Sequence, residues 1–342
     1  MNKLLLPFAL LSFAGAATAQ SAVTVFGTID LGAARIASSS GSITGVSSGG
    51  TNISRLGFRG TEDLGGGLSA SFWLEGGLDP DTGAGKAAGA FSFNRRSTLG
   101  VSGALGEVRL GRDDSATFLN TLIFDPFLTN GVGGTMAFIM RTGAPVIQIS
   151  NAVSYFLPAN LGGFYGQVQH AFGEAAVKRQ GNYDGLRVGY RNKELNVAAA
   201  AGKLNGATAN TDIKLGNVGL SYDFGAARPT FLWASEKQGP TKVSVVQLGV
   251  VVPVGLGVVR AQVSRYDTSN SATPAINAND WRKLAVGYGY NLSKRTQLYG
   301  TVARLSNGAG AQKVISVQGL AGPATALGSN SSGYEVGVRH FF

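Results

Sequence analysis

Apolar and polar positions alternate with period two along most of this chain. The last ten residues, 333–342, set the pattern: Tyr334, Val336, Val338, His340 and Phe342 share one face of an extended segment, and Glu335, Gly337, Arg339 and Phe341 share the other. A soluble β-protein would bury the apolar face and wet the other. A transmembrane barrel does the reverse, with lipid on the apolar face and a polar lumen inside. Similar runs occur at 23–34, 52–60, 68–77, 91–103, 107–112, 151–157, 164–172, 185–192, 195–203, 213–224, 230–237, 242–254, 257–267, 281–292 and 296–305. With the final run that makes about sixteen segments, each near the ~10 residues a tilted strand needs to cross an outer membrane.

The connections sort by length. Tight turns are predicted at 62–67, 104–106, 160–163, 225–227, 255–257 and 293–295, and long loops at 38–51, 79–90, 113–150, 205–212, 268–280 and 307–332. Short turns at one rim and long loops at the other suit a closed antiparallel barrel. The 113–150 segment is the longest, yet Phe118, Leu119, Leu122, Ile123, Phe124, Phe127, Phe138 and Ile139 make it too apolar for a disordered loop. It is expected to pack inside the barrel.

The N-terminus reads as a secretory leader. Lys3 precedes an apolar stretch at 4–14, and Ala17-Thr18-Ala19 is a small-x-small cleavage site, so residues 1–19 are expected to be removed and 20–342 to form the mature barrel. Beyond it no run approaches the ~20 apolar residues of a spanning helix. The longest, 243–259, is interrupted by Gln247, Pro253, Ser244 and three glycines. The chain has no cysteine, and its 51 glycines follow no Gly-X-Y period.

Net charge is +10, and loss of Lys3 with the leader leaves 28 basic residues against 19 acidic ones. In an exported protein this argues for attraction of small anionic solutes rather than nucleic acid. Alternation assigns Arg55, Arg59, Arg187, Arg191, Arg260, Lys283 and Arg339 to the lumen, opposite lipid-facing Leu56, Phe58, Leu186, Val188, Tyr190, Leu284 and Val338. An arginine at mid-membrane on the lipid face would cost ~2–4 kcal/mol. Acids are too few to neutralise every base. Tyr155, Phe156, Tyr190, Trp233, Tyr266, Trp281, Tyr288, Tyr299 and Tyr334 lie near strand ends, where interfacial girdles form, though some could instead fill the lumen or a subunit contact.

Other chemistries find little support. The two histidines, His170 and His340, lack a nucleophile–acid arrangement and metal-ligand spacing. Gly83-Ala-Gly-Lys86 lacks the spacing of a phosphate loop. No enzyme activity, cofactor or metal is expected. A soluble or exported β-sandwich adhesin is the remaining rival from another class.

Four stretches together resemble the Gram-negative trimeric porins, in particular those of β-proteobacteria. They are Ser54-Arg-Leu-Gly-Phe-Arg-Gly-Thr-Glu-Asp-Leu-Gly-Gly-Gly-Leu68 with Phe72-Trp-Leu-Glu75; Arg95-Arg-Ser-Thr-Leu-Gly-Val-Ser-Gly103 with Gly106-Glu-Val-Arg-Leu-Gly-Arg112; Asn291-Leu-Ser-Lys-Arg-Thr-Gln-Leu-Tyr-Gly300; and Val338-Arg-His-Phe-Phe342. The resemblance implies an all-β, sixteen-stranded transmembrane antiparallel barrel in the outer membrane of a Gram-negative bacterium, with 113–150 as an inward-folded constriction loop. It also implies a homotrimer in contact with membrane lipid and lipopolysaccharide, acting as a diffusion channel or, alternatively, as a solute-specific porin for organic acids or phosphate. Carried over motif by motif, it places Arg55, Arg95, Arg141 and Glu75 at the constriction, with Asp125 as an acidic contribution from the loop, where Asp125-Pro-Phe stands in place of the Pro-Glu-Phe-Gly run of some enteric porins. Strict alternation favours Arg96 over Arg95 for the lumen, and a β-bulge between them would favour Arg95; both are candidates.

Overall fold

The computed structural model describes residues 22–86, 90–135, 147–177, 179–270, 272 and 279–342. Leader residues 1–19 and the candidate Arg141 lie outside the described residues. The strands in chain order are β1 (Ala22–Ser38), β2 (Gly41–Ser48), β3 (Arg55–Gly65), β4 (Leu68–Asp79), β5 (Ala84–Gly85), β6 (Arg96–Gly103), β7 (Gly106–Asp114), β8 (Gln148–Phe156) and β9 (Phe164–Ala171). They continue with β10 (Tyr183–Arg191), β11 (Leu195–Leu204), β12 (Ile213–Tyr222), β13 (Arg228–Gln238), β14 (Thr241–Val254), β15 (Gly257–Asn270), β16 (Trp281–Asn291), β17 (Thr296–Asn307) and β18 (Ser331–Phe341). Of these eighteen, β2 takes up the β1 edge where β3 leaves it, from Leu31↔Ser48 to Ser38↔Gly41, and β5 is a two-residue flap on β4. The other sixteen pair antiparallel in sequence, and β1 closes the circle by pairing with both β3 and β18, from Thr28↔Phe341 to Ala37↔Ser332. Closure leaves no sheet edge to satisfy, which is what allows strands to cross a membrane. Among the described residues no helix is long and apolar enough to do so.

The alternation has the inverted sense expected of a membrane barrel. Val101, Leu110, Leu186, Val188, Leu248, Leu284 and Val336 face outward and exposed, while Gln167, Gln169, Gln247, Gln262, Ser264 and Gln297 are buried on the inner side. Loop lengths alternate by rim, with one exception: β13 and β14 are joined on the long-loop rim by Gly239 and Pro240 alone. The ladder register shifts at two places, between Asp63 and Gly65 at the end of β3 and, within the wall, on β7. The β7–β8 ladder shifts between Gly111 and Asp113, opposite Ala152 and Ile149, and Asn151 takes φ +57° there. This bulge lets Ile149 and Ala152, of opposite parity, both point inward.

The aromatics at strand ends divide. Tyr155, Tyr288 and Tyr334 are exposed on the outer face. Tyr266, Trp281 and Tyr299 point inward and are buried, so they form no girdle; Tyr266 and Trp281 stack at 4.7 Å. They meet the inward loop: the Tyr266 hydroxyl lies 2.9 Å from that of Thr135, Trp281 shares a cluster with Phe127 and Val132, and Tyr299 lines a gap with Phe127 and Leu128.

Candidate functional site

The segment after β7 turns into the barrel. Ser115 caps α1 (Ala116–Phe124), its Oγ accepting from the Phe118 N–H at 3.1 Å. The helix lies against β9–β13. Asn120 Nδ2 donates to the Ala198 carbonyl at 3.2 Å and to Asn217 Oδ1 at 2.8 Å, and Asn217 Nδ2 donates to the Thr117 carbonyl at 2.8 Å. Phe124 packs on Ala198 and Leu232, over Gly219, where any Cβ would overlap its ring.

Beyond the helix, the loop crosses the lumen to β15, β16 and β18. The Asp125 carboxylate accepts from the backbone N–H groups of Phe127 (2.9 Å), Thr129 (2.8 Å) and Thr135 (2.7 Å). The Val132 N–H donates to Glu335 Oε2 at 3.1 Å, Gln262 Nε2 to the Gly133 carbonyl, and Lys283 Nζ to the Gly134 carbonyl at 2.5 Å.

Two sequence assignments are corrected here. Asp125 does not line the pore: it is 1% exposed and turned into its own loop, tying it together. Burial pushes its carboxyl above the usual carboxylate range, against the backbone donors and the Lys283 charge. Lys283 does face inward, but at 3% exposure it is an anchor for the loop rather than a free cation of the lumen ladder.

Across the lumen, β3, β4 and β6 build a cluster around Glu75, which is 6% exposed. Glu75 Oε1 accepts from Arg55 Nη1 at 3.2 Å and Arg95 Nε at 2.6 Å, and Oε2 accepts from Trp73 Nε1 at 3.2 Å. Arg55 Nη2 also donates to Asn52 Oδ1 at 2.5 Å. Arg96 lies over the Trp73 ring at 4.5 Å and pairs with Asp113 at 3.6 Å. Arg95 and Arg96 therefore both reach carboxylates of the inner wall. The β4–β6 ladder starts at Glu75↔Arg96. Arg95 precedes that ladder, yet its own N–H donates to the Glu75 carbonyl at 3.1 Å, so two consecutive residues stand opposite Glu75, the two-against-one arrangement of a β-bulge.

Arg109 and its partners form a second paired group that the sequence reading passed over. Arg109 makes two 2.9 Å contacts with Glu107 and a 2.5 Å contact with Asp113. The spacing Glu107-x-Arg109 on one strand face was its available signal. Asp30 also went unremarked. It accepts from the N–H groups of Gly50 (3.2 Å), Thr51 (2.9 Å) and Asn52 (2.8 Å) and from the Tyr299 hydroxyl (2.6 Å), fixing the turn that carries Asn52 beside Arg55.

The remaining basic candidates are not neutralised. Among the described residues Arg59, Arg187, Arg191, Arg260 and Arg339 make no ion pair. Arg59 is exposed to the lumen, 5.1 Å over Trp73 and 5.3 Å over Phe26. Arg187 donates to Asn120 Oδ1 at 3.1 Å, and Arg339 lies 4.5 Å over Phe341. Such groups keep their charge at any relevant pH. Their arrangement can concentrate anions in a water-filled passage walled by low-dielectric material.

Comparison with known proteins agrees with this geometry. A family model described as Gram-negative porin matches residues 8–310. Outer membrane porin protein 32 of Delftia acidovorans is 37% identical, with all of both chains covered. An outer membrane porin protein of Bordetella pertussis is 28% identical, again over all of both chains. The structure of an anion-selective porin from Comamonas acidovorans is 35% identical and superposes with a TM-score of 0.84, covering 94% of this chain and all of that one.

Proposed function

Given that the chain belongs to the Gram-negative porin family and is an outer-membrane channel for passive diffusion, we propose that this channel prefers anions. The observation that carries the proposal is the set of lumenal arginines without acid partners: Arg59, Arg187, Arg191, Arg260 and Arg339. The similar Comamonas acidovorans protein is described as anion-selective, which supports the same reading. Permeant anions must be held weakly and at several places, or they would not leave. A row of separate arginines meets that need better than one tight site.

In this proposal the narrowest passage lies between the Arg55–Glu75–Arg95 cluster and the 113–150 loop, with Arg141 facing the passage late in that loop. Residues 1–19 are a leader removed on export, and the mature chain assembles as a homotrimer among lipid and lipopolysaccharide. The test is the reversal potential of single channels in a planar bilayer under a KCl gradient. The expected sign is chloride preference, reduced in R55S/R141S. Cation preference of the unsubstituted channel would overturn the proposal.

A further inference from the structure

On the short-turn side of α1, the inner wall lines an open pocket of about 240 Å³. Its apolar part is Ile123 from the helix with Phe156 and Leu157 from the end of β8. Its polar part is Tyr165, Arg187 and Arg191. Arg187 is 9% exposed and fixed: Nε donates to Asn120 Oδ1 at 3.1 Å, Nη2 to the Tyr165 hydroxyl at 3.4 Å, and the guanidinium lies 4.7 Å over the Tyr165 ring. The Arg191 guanidinium lies 5.9 Å from the same ring; the residue is exposed, and its side chain makes no hydrogen bond or ion pair among the described residues. The Tyr165 hydroxyl donates to Asn196 Oδ1 at 2.7 Å, which holds the ring between the two guanidinium groups.

Three features narrow the ligand. Two cations without an acid call for an anion. An aliphatic and aromatic floor is wasted on chloride or phosphate, whose hydration it would strip without compensation. The volume falls below the ~300–1,000 Å³ of pockets for drug-sized molecules, so one small ring or branched chain fills it. We propose that this pocket is a binding subsite for small monocarboxylates with a flat apolar body, the carboxylate on Arg191 and the body on Ile123 and Phe156. The proposal rests on the anion-preferring reading of the pore and makes the channel more permeable to such acids at low concentration than to acetate. A site of this kind speeds passage only while binding stays weak.

The test is block of single-channel chloride current by sodium benzoate added at the short-turn side, with sodium acetate and benzyl alcohol as controls. Benzoate is expected to block at a lower concentration than acetate, and benzyl alcohol not at all. R191Q should raise the half-blocking benzoate concentration about tenfold, the loss of one charge-assisted hydrogen bond. I123S should weaken block by benzoate and leave acetate unchanged. Equal block by benzoate and acetate, or an unshifted benzoate response in R191Q, would overturn the subsite. The reversal potential under a KCl gradient separates the two readings. A chloride-preferring channel without benzoate preference removes the subsite alone. A cation-preferring channel whose benzoate block still depends on Arg191 removes the anion reading and keeps the subsite.

Discussion

The two sides of the lumen use the same residue type in opposite states, with Arg59 on β3 the one unpaired arginine of the candidate set on the paired side. On the wall from β3 to β7, Arg55, Arg95, Arg96 and Arg109 are spoken for by Glu75, Glu107 and Asp113. On β10, β15 and β18, Arg187, Arg191, Arg260 and Arg339 make no direct ion pair, although Asp30 lies within electrostatic reach of Arg339 through Thr51, and the charged neighbours of Arg260 are further arginines, Arg339 and Arg228. Counting arginines along the lumen thus overstates the first side and understates the second. The paired side is a shaped, hydrogen-bonded surface. The unpaired side supplies the field. Fields in a narrow passage with low-dielectric walls change local ion concentration by factors of about 10–10³, so the division between sides governs selectivity.

The largest effect is expected from removing the unpaired charges. R191Q/R260Q/R339Q should cut the chloride-to-potassium permeability ratio roughly tenfold, measured as reversal potential. R55Q/R95Q/E75Q removes two positive charges and one negative, and should move the same ratio far less. Equal shifts from the two triple variants would abolish the distinction between the sides.

A smaller effect, on two readouts at once, should come from E75Q. It leaves Arg55 and Arg95 facing each other without their carboxylate. Because both guanidinium groups are about a fifth exposed, at 21%, the loss should be about 2 kcal/mol, below the ~3–5 kcal/mol for breaking a fully buried pair. The detergent-solubilised protein should lose its folded, heat-modifiable gel mobility at lower temperature, while chloride preference rises. Stability and selectivity moving in opposite directions would show that the paired side trades field for structure.

Much of this division was legible in the sequence, and the illegible part has a definite cause. Strand parity placed Arg59, Arg187, Arg191, Arg260 and Arg339 inside because a period-two pattern fixes which side a residue faces. The motifs around Arg55, Glu75 and Arg95 brought those three together. Parity does not say what occupies the lumen at a given height. Lys283 and Asp125 read as pore groups, yet the inward loop fills the space around them and uses both as anchors. Tyr266, Trp281 and Tyr299 were open to two readings for the same reason: their position near strand ends suits a girdle, and only the loop's path shows that they pack against it. The Ser150–Asn151 bulge hid because nothing in a polar dipeptide marks an extra residue in a ladder.

The loop's grip on the unpaired side is tested by G219V. Gly219 lets Phe124 lie directly on β12, and through Asn120 the same helix holds Arg187. A valine there should cost about 1–3 kcal/mol by overpacking and displace α1, raising single-channel conductance. If conductance rises while chloride preference holds, Arg187 acts without help from the helix. If both change, the unpaired cation owes its position to α1.

The smallest effect on selectivity should come from D212N, which breaks a pairing outside the lumen. Asp212 lies in the connection between β11 and β12, where its Oδ2 meets Arg179 Nη2 at 2.7 Å and Lys203 Nζ at 3.2 Å. Burial works to raise its pKa, but the hydrogen bonds from Arg179, the Gly206 N–H and Lys203 hold the carboxyl down at about 2. A depressed acid contributes stability that is complete above the unfolded value of about 3.9 and fades as pH falls towards about 2. Hydrogen exchange in the neighbouring 172–182 loop should therefore accelerate between about pH 4 and pH 2 beyond its intrinsic rate, and D212N should show the fast rate already at neutral pH. Freeing Arg179 and Lys203 adds positive charge at the long-loop rim, yet in 0.1 M salt a field is screened within about 10 Å. The reversal potential of D212N should then match that of the unsubstituted channel. A shift as large as that of R191Q/R260Q/R339Q would mean that charge at the rim, and not the unpaired arginines of the lumen, sets which ions pass.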